Sequence, residues 1–255
     1  MINASPDLKF QIEADPELWP SHTNGKRSTP IAGIVLTSAD LDQVLGLLLL
    51  REFQPLVVYA TATVRGILEA NSFFRMLRRI PNQMTWVEIV PSRSFLLGGE
   101  ILCTPIPLSD CSPFYASDSS DGNPQYQSAA PGEASIGLVL ESKGRRIAFT
   151  PALPEITDEL RAIYNTCDAI LVDGTFWSDA ELSDTQHGTP LARSIGHIPI
   201  SGPEGTIALL ESVTRPRKIF VHINNTNPIL DPRGEERKLI EDSGWQIGDD
   251  GWQWS

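Results

Sequence analysis

Four places in the chain put carboxylate or imidazole groups where predicted strands end. The first is Thr37-Ser38-Ala39-Asp40-Leu41-Asp42-Gln43, directly after the apolar run GIVLT. The second is Asp173, after Ala169 to Val172, and the third is His197 in RSIGH. The fourth is His222 in VHINNTNP, directly after KIFV. Imidazoles and carboxylates hold divalent metals and move protons, and α/β sheets place their sites at the carboxyl ends of strands. Each group also has a plainer use. Asp40 and Asp42 suit a helix N-terminus through the macrodipole, Asp173 before Gly174 suits a turn, and His222 suits a hydrogen-bonded core position. Asn224, Asn225 and Asn227 are turn formers, yet HINNTNP is more elaborate than a turn requires. No single one of these signals decides the matter.

Other chemistries are poorly represented. There is no GxGxxG, no P-loop and no GxSxG elbow. Cys103, Cys111 and Cys167 are odd in number with no CxxC spacing, so neither a disulfide framework nor a cysteine zinc knuckle is written here. Cys103 and Cys167 sit in strand-like apolar surroundings and read as inert core residues. His22 and His187 lie in polar stretches and read as surface groups.

The elements that would carry these groups follow from local pattern. GIVLT (Gly33 to Thr37) reads as a buried strand, stopped by Ser38 as a helix N-cap, with Leu41, Leu45, Leu48 and Leu49 recurring at helical spacing. Leu56 to Ala60 is a second strand, and Ala62 to Glu69 and Phe73 to Arg79 are helices, the latter closed by Pro81. Met84 to Val90, Glu100 to Pro105, Ser135 to Glu141 and Arg146 to Thr150 are strands that no helix separates, which predicts antiparallel pairing. After Pro154 the pattern is a helix at Glu155 to Tyr164, a strand at Ala169 to Val172, a helix at Glu204 to Thr214 and a strand at Lys218 to His222. A helix at Gly234 to Asp242 and a terminal strand with Trp252 and Trp254 complete it. Ser109 to Ala134, rich in Ser, Asp, Pro, Gly and Gln, reads as a disordered or plain surface loop, with an active-site cover as the alternative. Two sheets between helical layers would bury this pattern.

Bulk properties narrow the partners. The chain has 255 residues, 41% of them hydrophobic, enough for a proper core. A net charge of −12 would repel phosphate backbones, so nucleic acid is not an expected partner. The strongest apolar run, Leu45 to Leu50, is far shorter than the roughly 20 residues of a membrane span. MINASPDLKF has neither the basic start nor the apolar stretch of a signal peptide, so the expected location is the cytoplasm.

Taken in order, the constellation resembles the metallo-β-lactamase superfamily. Asn3 to Asp7 resembles its early element, and Ser38 to Gln43 stands where its H-x-H-x-D-H motif would, with Asp42 matching. Asp173 matches the bridging aspartate and His222 the last histidine. Within the superfamily, NASPDL, GLLLLRE, LVDGTFW, IGHIPISGPEG and HINNTNPILD resemble the family of pyrroloquinoline quinone (PQQ) biosynthesis protein B. The resemblance runs through nearly the whole chain. It implies an α/β, four-layer αββα fold, with residues 1–255 as one domain lacking the family's first strands and N-terminal cysteine cluster. Gln43 departs from the family's Asp-His pair, and an amide is a poorer ligand for a transition metal than imidazole.

The resemblance implies an oxygenase using Fe(II), with Zn as the other metal, that hydroxylates the tyrosine of a cross-linked, peptide-derived Glu–Tyr precursor of PQQ. It offers Asp42, Asp173 and His222 as metal ligands, with Asp40 as a substitute or catalytic group. His197 is a ligand or a proton-transfer group, Asn224 and Asn225 are substrate-binding residues, and a homodimer is among the expected states. The alternatives are a carrier for PQQ or its precursor, an inactive homologue, and a metallohydrolase by fold analogy. Ser38, Asp40 and Gln43 argue against the last, because a dizinc centre would lose three histidines there.

Overall fold

A computed structural model describes residues 1–20, 29–50, 55–116, 131–185 and 187–253, which form two compact units. The first unit comprises described residues of Met1–Arg93 and Asp110–Ile136, with Gln253. Its sheet has three strands in the order β1 (Ile34–Val35), β2 (Leu56–Ala60) and β3 (Met84–Glu88), all parallel. Its helices are α1 (Leu8–Ala14), α2 (Leu41–Val44), α3 (Ala62–Ala70) and α4 (Ser72–Arg75), and a 3₁₀ turn, Leu45–Leu50, continues α2. The Thr61 side chain caps α3 by accepting from the Val64 N–H. Val64, Ile67 and Leu68 of α3 are buried with Ile34, Leu36 and Val58 in one apolar cluster.

One expectation is corrected here. Met84 to Glu88 does not open an antiparallel meander but pairs in parallel with β2. Two helices, α3 and α4, separate β2 from β3, and a crossover of that length returns the chain to the same end of the sheet.

The second unit comprises Ser94–Ser109 and Gly137–Trp252. The seven-stranded sheet has the order β10-β9-β8-β7-β6-β5-β4. The strands β4 (Phe95–Leu97) and β5 (Ile101–Ser109) are antiparallel, as are β6 (Ser135–Ser142) and β7 (Arg145–Thr150). Lys143 and Gly144, at φ 50° and 75°, make the tight turn between β6 and β7; both positive angles match the twist of a hairpin. From β7 onward the pairing is parallel, through β8 (Ala169–Asp173), β9 (Arg217–Val221) and β10 (Trp245–Ile247). The helices of this part are α5 (Asp158–Thr166), α6 (Glu181–Thr185), α7 (Thr206–Leu209) and α8 (Glu235–Asp242).

The expected helix at Glu204 to Thr214 is only the single turn α7. The expected terminal strand lies earlier than Trp252, at Trp245–Ile247, where buried Trp245 and Ile247 flank exposed Gln246. Trp245 stacks on Phe220 of β9 with centroids 4.2 Å apart, whereas Trp252 lies outside the strand beneath the Arg217 guanidinium. Trp254, His22 and most of the Ser/Asp/Gly-rich segment, residues 117–130, lie outside the described residues. No helix among the described residues is long and apolar enough to cross a membrane.

Candidate metal centre

The parallel strands β7, β8 and β9 all end on one edge of the sheet, and that edge carries the chemistry. β8 is apolar until its last residue, Asp173, which is fully buried. Burying a carboxylate is costly unless donors surround it, and this one has four. Oδ1 accepts from the Thr175 N–H at 3.0 Å and from the Thr175 hydroxyl at 2.5 Å. Oδ2 accepts from the Leu153 N–H at 2.9 Å and from Nδ1 of His197 at 2.7 Å.

His222 follows Val221, the last residue of β9 and the register partner of Asp173. Its backbone is left-handed, φ 58°, which a residue with a Cβ adopts at a cost of about 1 kcal/mol. Such conformations concentrate at functional sites. The Thr175 hydroxyl lies 2.9 Å from His222 Nδ1 and 3.0 Å from the His222 carbonyl oxygen, so it bridges the ends of β8 and β9. Gly174 permits this approach: a Cβ there would stand 2.9 Å from that of Phe220 and 3.2 Å from the Val221 carbonyl oxygen.

His197 arrives from a loop whose preceding residue, Gly196, has φ 92°. Its backbone N–H donates to the Ala192 carbonyl, and the next N–H, of Ile198, donates to that of Leu153. Its ring packs edge-on against Phe176 and lies 27° from the plane of His222, with centroids 5.7 Å apart. The side chains of His197 and His222 are 14% and 26% exposed, so the cluster opens on its imidazole side while Asp173 lies beneath. One potential ligand atom from each of Asp173, His197 and His222 lies within 4.8 Å of the others.

Complete burial pushes the Asp173 carboxyl up. The charge and hydrogen bond of His197, with those of His222, push harder and hold it below the ordinary carboxylate range.

Three of the five residues expected to be ligands or catalytic groups are therefore brought together. The other two, Asp40 and Asp42, belong to the first unit, at the start of α2. The Asp40 carboxylate accepts from the Ser38 hydroxyl at 2.6 Å, and Asp42 is exposed in the first turn. Gln43 is buried, and its side-chain oxygen accepts from the Thr37 hydroxyl at 2.8 Å and from the Asn3 amide. The Gln43 amide is thus engaged in a local polar network. Asn224 donates from Nδ2 to Thr226, and Asn225 is exposed beside it.

Residues without an assigned role in the sequence turn out to build the site. Thr175 stands two positions after Asp173, the spacing at which a hydroxyl and an amide fold back on an aspartate. Asn227 is buried and donates to the carbonyls of Gly174 and Thr175, at 2.9 and 3.2 Å. Glu181 accepts from the Trp177 N–H and from the Thr226 hydroxyl, tying the loop after β8 to the loop after β9. Only the Asn227 role had a visible signal, the density of amides in HINNTNP.

Comparison with known proteins identifies the family and the fold. The family model for the β-lactamase superfamily domain matches residues 1–223. The coenzyme PQQ synthesis protein B of Methylobacterium nodulans is 37% identical over 251 residues, 98% of this chain and 81% of that protein. Its counterpart from Xanthomonas euvesicatoria is 34% identical over the same shares. The crystal structure of Zn²⁺-bound PqqB from Methylobacterium extorquens superposes with a TM-score of 0.88 at 33% identity, covering 98% of this chain and 81% of that one. The metallo-β-lactamase fold protein YhfI of Bacillus subtilis, at 9% identity and a TM-score of 0.62, shares the fold alone. The fold is that of the metallo-β-lactamases, and the chain belongs to the family of coenzyme PQQ synthesis protein B.

Proposed function

We propose that this chain performs a metal-dependent step of PQQ biosynthesis, with the metal held by Asp173, His197 and His222. The observation that carries the reading is the convergence of these three ligand atoms within 4.8 Å at the ends of β8 and β9. One carboxylate and two imidazoles suit a borderline divalent metal with open positions. A fully buried carboxylate beside two partly exposed imidazoles also fits a cation better than it fits a solvated ion pair. The M. extorquens relative was crystallised with Zn²⁺; Fe(II) is the ion suited to oxygen chemistry and the one proposed for turnover.

When bound, such an ion supplies dioxygen activation for hydroxylating the tyrosine of the peptide-derived Glu–Tyr precursor. The protein's own groups do the rest. Asp173 anchors the cluster and, without the ion, holds the ring of His197 through Oδ2, a shared hydrogen that the ion would replace. The imidazoles face the open side, where a phenol ring can approach. Asn225, exposed three residues after His222, offers an amide to the precursor's carboxylates, and Asn224 shapes that loop.

The test is anaerobic reconstitution with Fe(II), then oxygen, a reductant and a synthetic Glu–Tyr cross-linked peptide. Mass spectrometry should find one added oxygen atom per turnover, lost in His222→Ala. Metal uptake without hydroxylation of any tyrosine-containing precursor would leave the metal assignment and overturn the oxygenase one.

A further inference from the structure

Resting on the reading of the site above, we infer that Glu181, acting through Thr226, is a positioning residue that turns the Asn224 side chain so that its oxygen faces the ligand, and that this position takes a cationic donor, the ammonium group of an amino-acid-derived substrate. The chain of contacts starts at a buried carboxylate. Glu181 accepts the Trp177 N–H on Oε2 at 2.6 Å and the Thr226 hydroxyl on Oε1 at 2.5 Å. The Thr226 oxygen also lies 2.7 Å from Asn224 Nδ2. That hydroxyl has one proton and a carboxylate has none to give, so the proton goes to Glu181. Towards Asn224 the hydroxyl can then only accept.

A side-chain amide has one end that donates and one that accepts. Since Thr226 takes a hydrogen from Asn224, the end turned to it is Nδ2, and Oδ1 lies on the opposite side of the amide. No described residue donates to Oδ1, and it is not among the buried side-chain atoms that lack a partner, so it is open to solvent. The backbone is held as well. The Asn224 N–H donates to the Thr175 carbonyl at 3.1 Å, and the Asn224 carbonyl accepts from the Asn227 N–H at 3.0 Å. Asn227 is itself buried and donates to the Gly174 and Thr175 carbonyls. Asn224 thus stands two residues after His222, on the loop at the same edge of the sheet, with a fixed acceptor on its free side.

Charge decides what such an oxygen suits. An amide oxygen binds N–H and O–H groups, ammonium most strongly because that bond is charge-assisted, and it has nothing to offer a carboxylate. An amino-acid-derived ligand carries both charged groups, and only the ammonium matches Asn224. Asn225, exposed beside it, remains for the carboxylate. Glu181 matters because an amide in its place reverses the count. In Glu181→Gln the new side chain keeps its oxygen on the Trp177 N–H and its nitrogen then donates to Thr226. The Thr226 proton is freed for Asn224, whose amide turns its oxygen inward and its nitrogen out.

The experiment joins NMR to binding in the wild type, Glu181→Gln and Thr226→Val. In metal-free wild type, the Asn224 amide hydrogens should show a nuclear Overhauser contact with the Thr226 side chain, and Glu181→Gln should weaken it. Binding is measured on Zn²⁺-loaded protein with two phenols, tyramine and 3-(4-hydroxyphenyl)propionate, which carry an ammonium and a carboxylate on the same spacer. The wild type should favour tyramine, and the ratio of the two affinities should fall about tenfold in Glu181→Gln. It should fall in Thr226→Val too, which releases the amide but keeps the charge of Glu181. A fall in Glu181→Gln alone would be a charge effect and would overturn the inference. A wild type without the Overhauser contact, or one that favours the carboxylate phenol, would overturn it even if neither variant folded. A wild type with the contact that binds neither phenol would instead overturn the reading of the site as a metal centre for a phenol, and leave the role of Glu181 standing.

Discussion

Asp173 Oδ2 and His197 Nδ1 lie 2.7 Å apart, joining the last residue of β8 to a loop 24 residues further along the chain. The carboxylate has no exposure to solvent and the imidazole has a little. That pair defines the floor of the site, and removing one member leaves the other in an environment built for both.

Asp173→Asn preserves size and removes the charge. It also turns an amide N–H towards groups that themselves donate, the Thr175 or Leu153 backbone. Unfolding in urea should show a loss of about 3 kcal/mol, and metal uptake should disappear. A variant as stable as the wild type would mean the carboxylate is not ionised in the folded protein.

Acid should reveal the same group. The folded Asp173 carboxyl lies below its unfolded value of about 3.9. A depressed carboxyl contributes stability that is full above the unfolded value and is lost as pH falls through the folded one. Metal-free wild type should therefore lose stability on acidification below about pH 4, and Asp173→Asn should lose less over that interval. Parallel curves for the two proteins would contradict the assignment.

Asn227 links the HINNTNP motif to the loop after β8. Asn227→Ala leaves the carbonyls of Gly174 and Thr175 and the Ile229 N–H without this partner. The expected cost is about 1–3 kcal/mol by thermal or urea unfolding, with weakened metal binding because Thr175 is no longer held. Unchanged binding would show that the loop is positioned from elsewhere.

Thiol reactivity checks the second unit's core independently. Burial pushes the Cys103 thiol up to about 12 and raises Cys167 as well, and both are inaccessible, while Cys111 is exposed. Since the thiolate is the reacting form, a disulfide reagent at pH 8 should modify Cys111 quickly in the native protein. Cys103 and Cys167 should react only on denaturation, and rapid modification of either would contradict the packing described.

Much of this was legible in the sequence, and the limits have physical causes. Asp173 and His222 stand out because a polar residue ending an apolar parallel strand marks a functional edge. His197 was visible as a candidate, but its role was not, since its approach depends on a loop closed by Gly196 and by backbone bonds to Ala192 and Leu153. Thr175 was invisible in function, because a hydroxyl beside an aspartate looks the same in any turn. The parallel pairing of strand β3 is not legible in its own residues, because orientation depends on the crossover before it. The strand near the C-terminus lies before Trp252 because the alternation that makes a strand belongs to Trp245-Gln246-Ile247.

The most direct test of the account is metal stoichiometry. Protein loaded anaerobically with Fe(II) or with Zn(II), freed of excess ion and analysed by mass spectrometry, should hold about one equivalent. The variants His197→Ala, His222→Ala and Asp173→Asn should each hold far less while remaining folded by circular dichroism. A wild type that takes up neither ion, or a folded triple variant that still binds a full equivalent, would contradict the claim that Asp173, His197 and His222 form the metal centre.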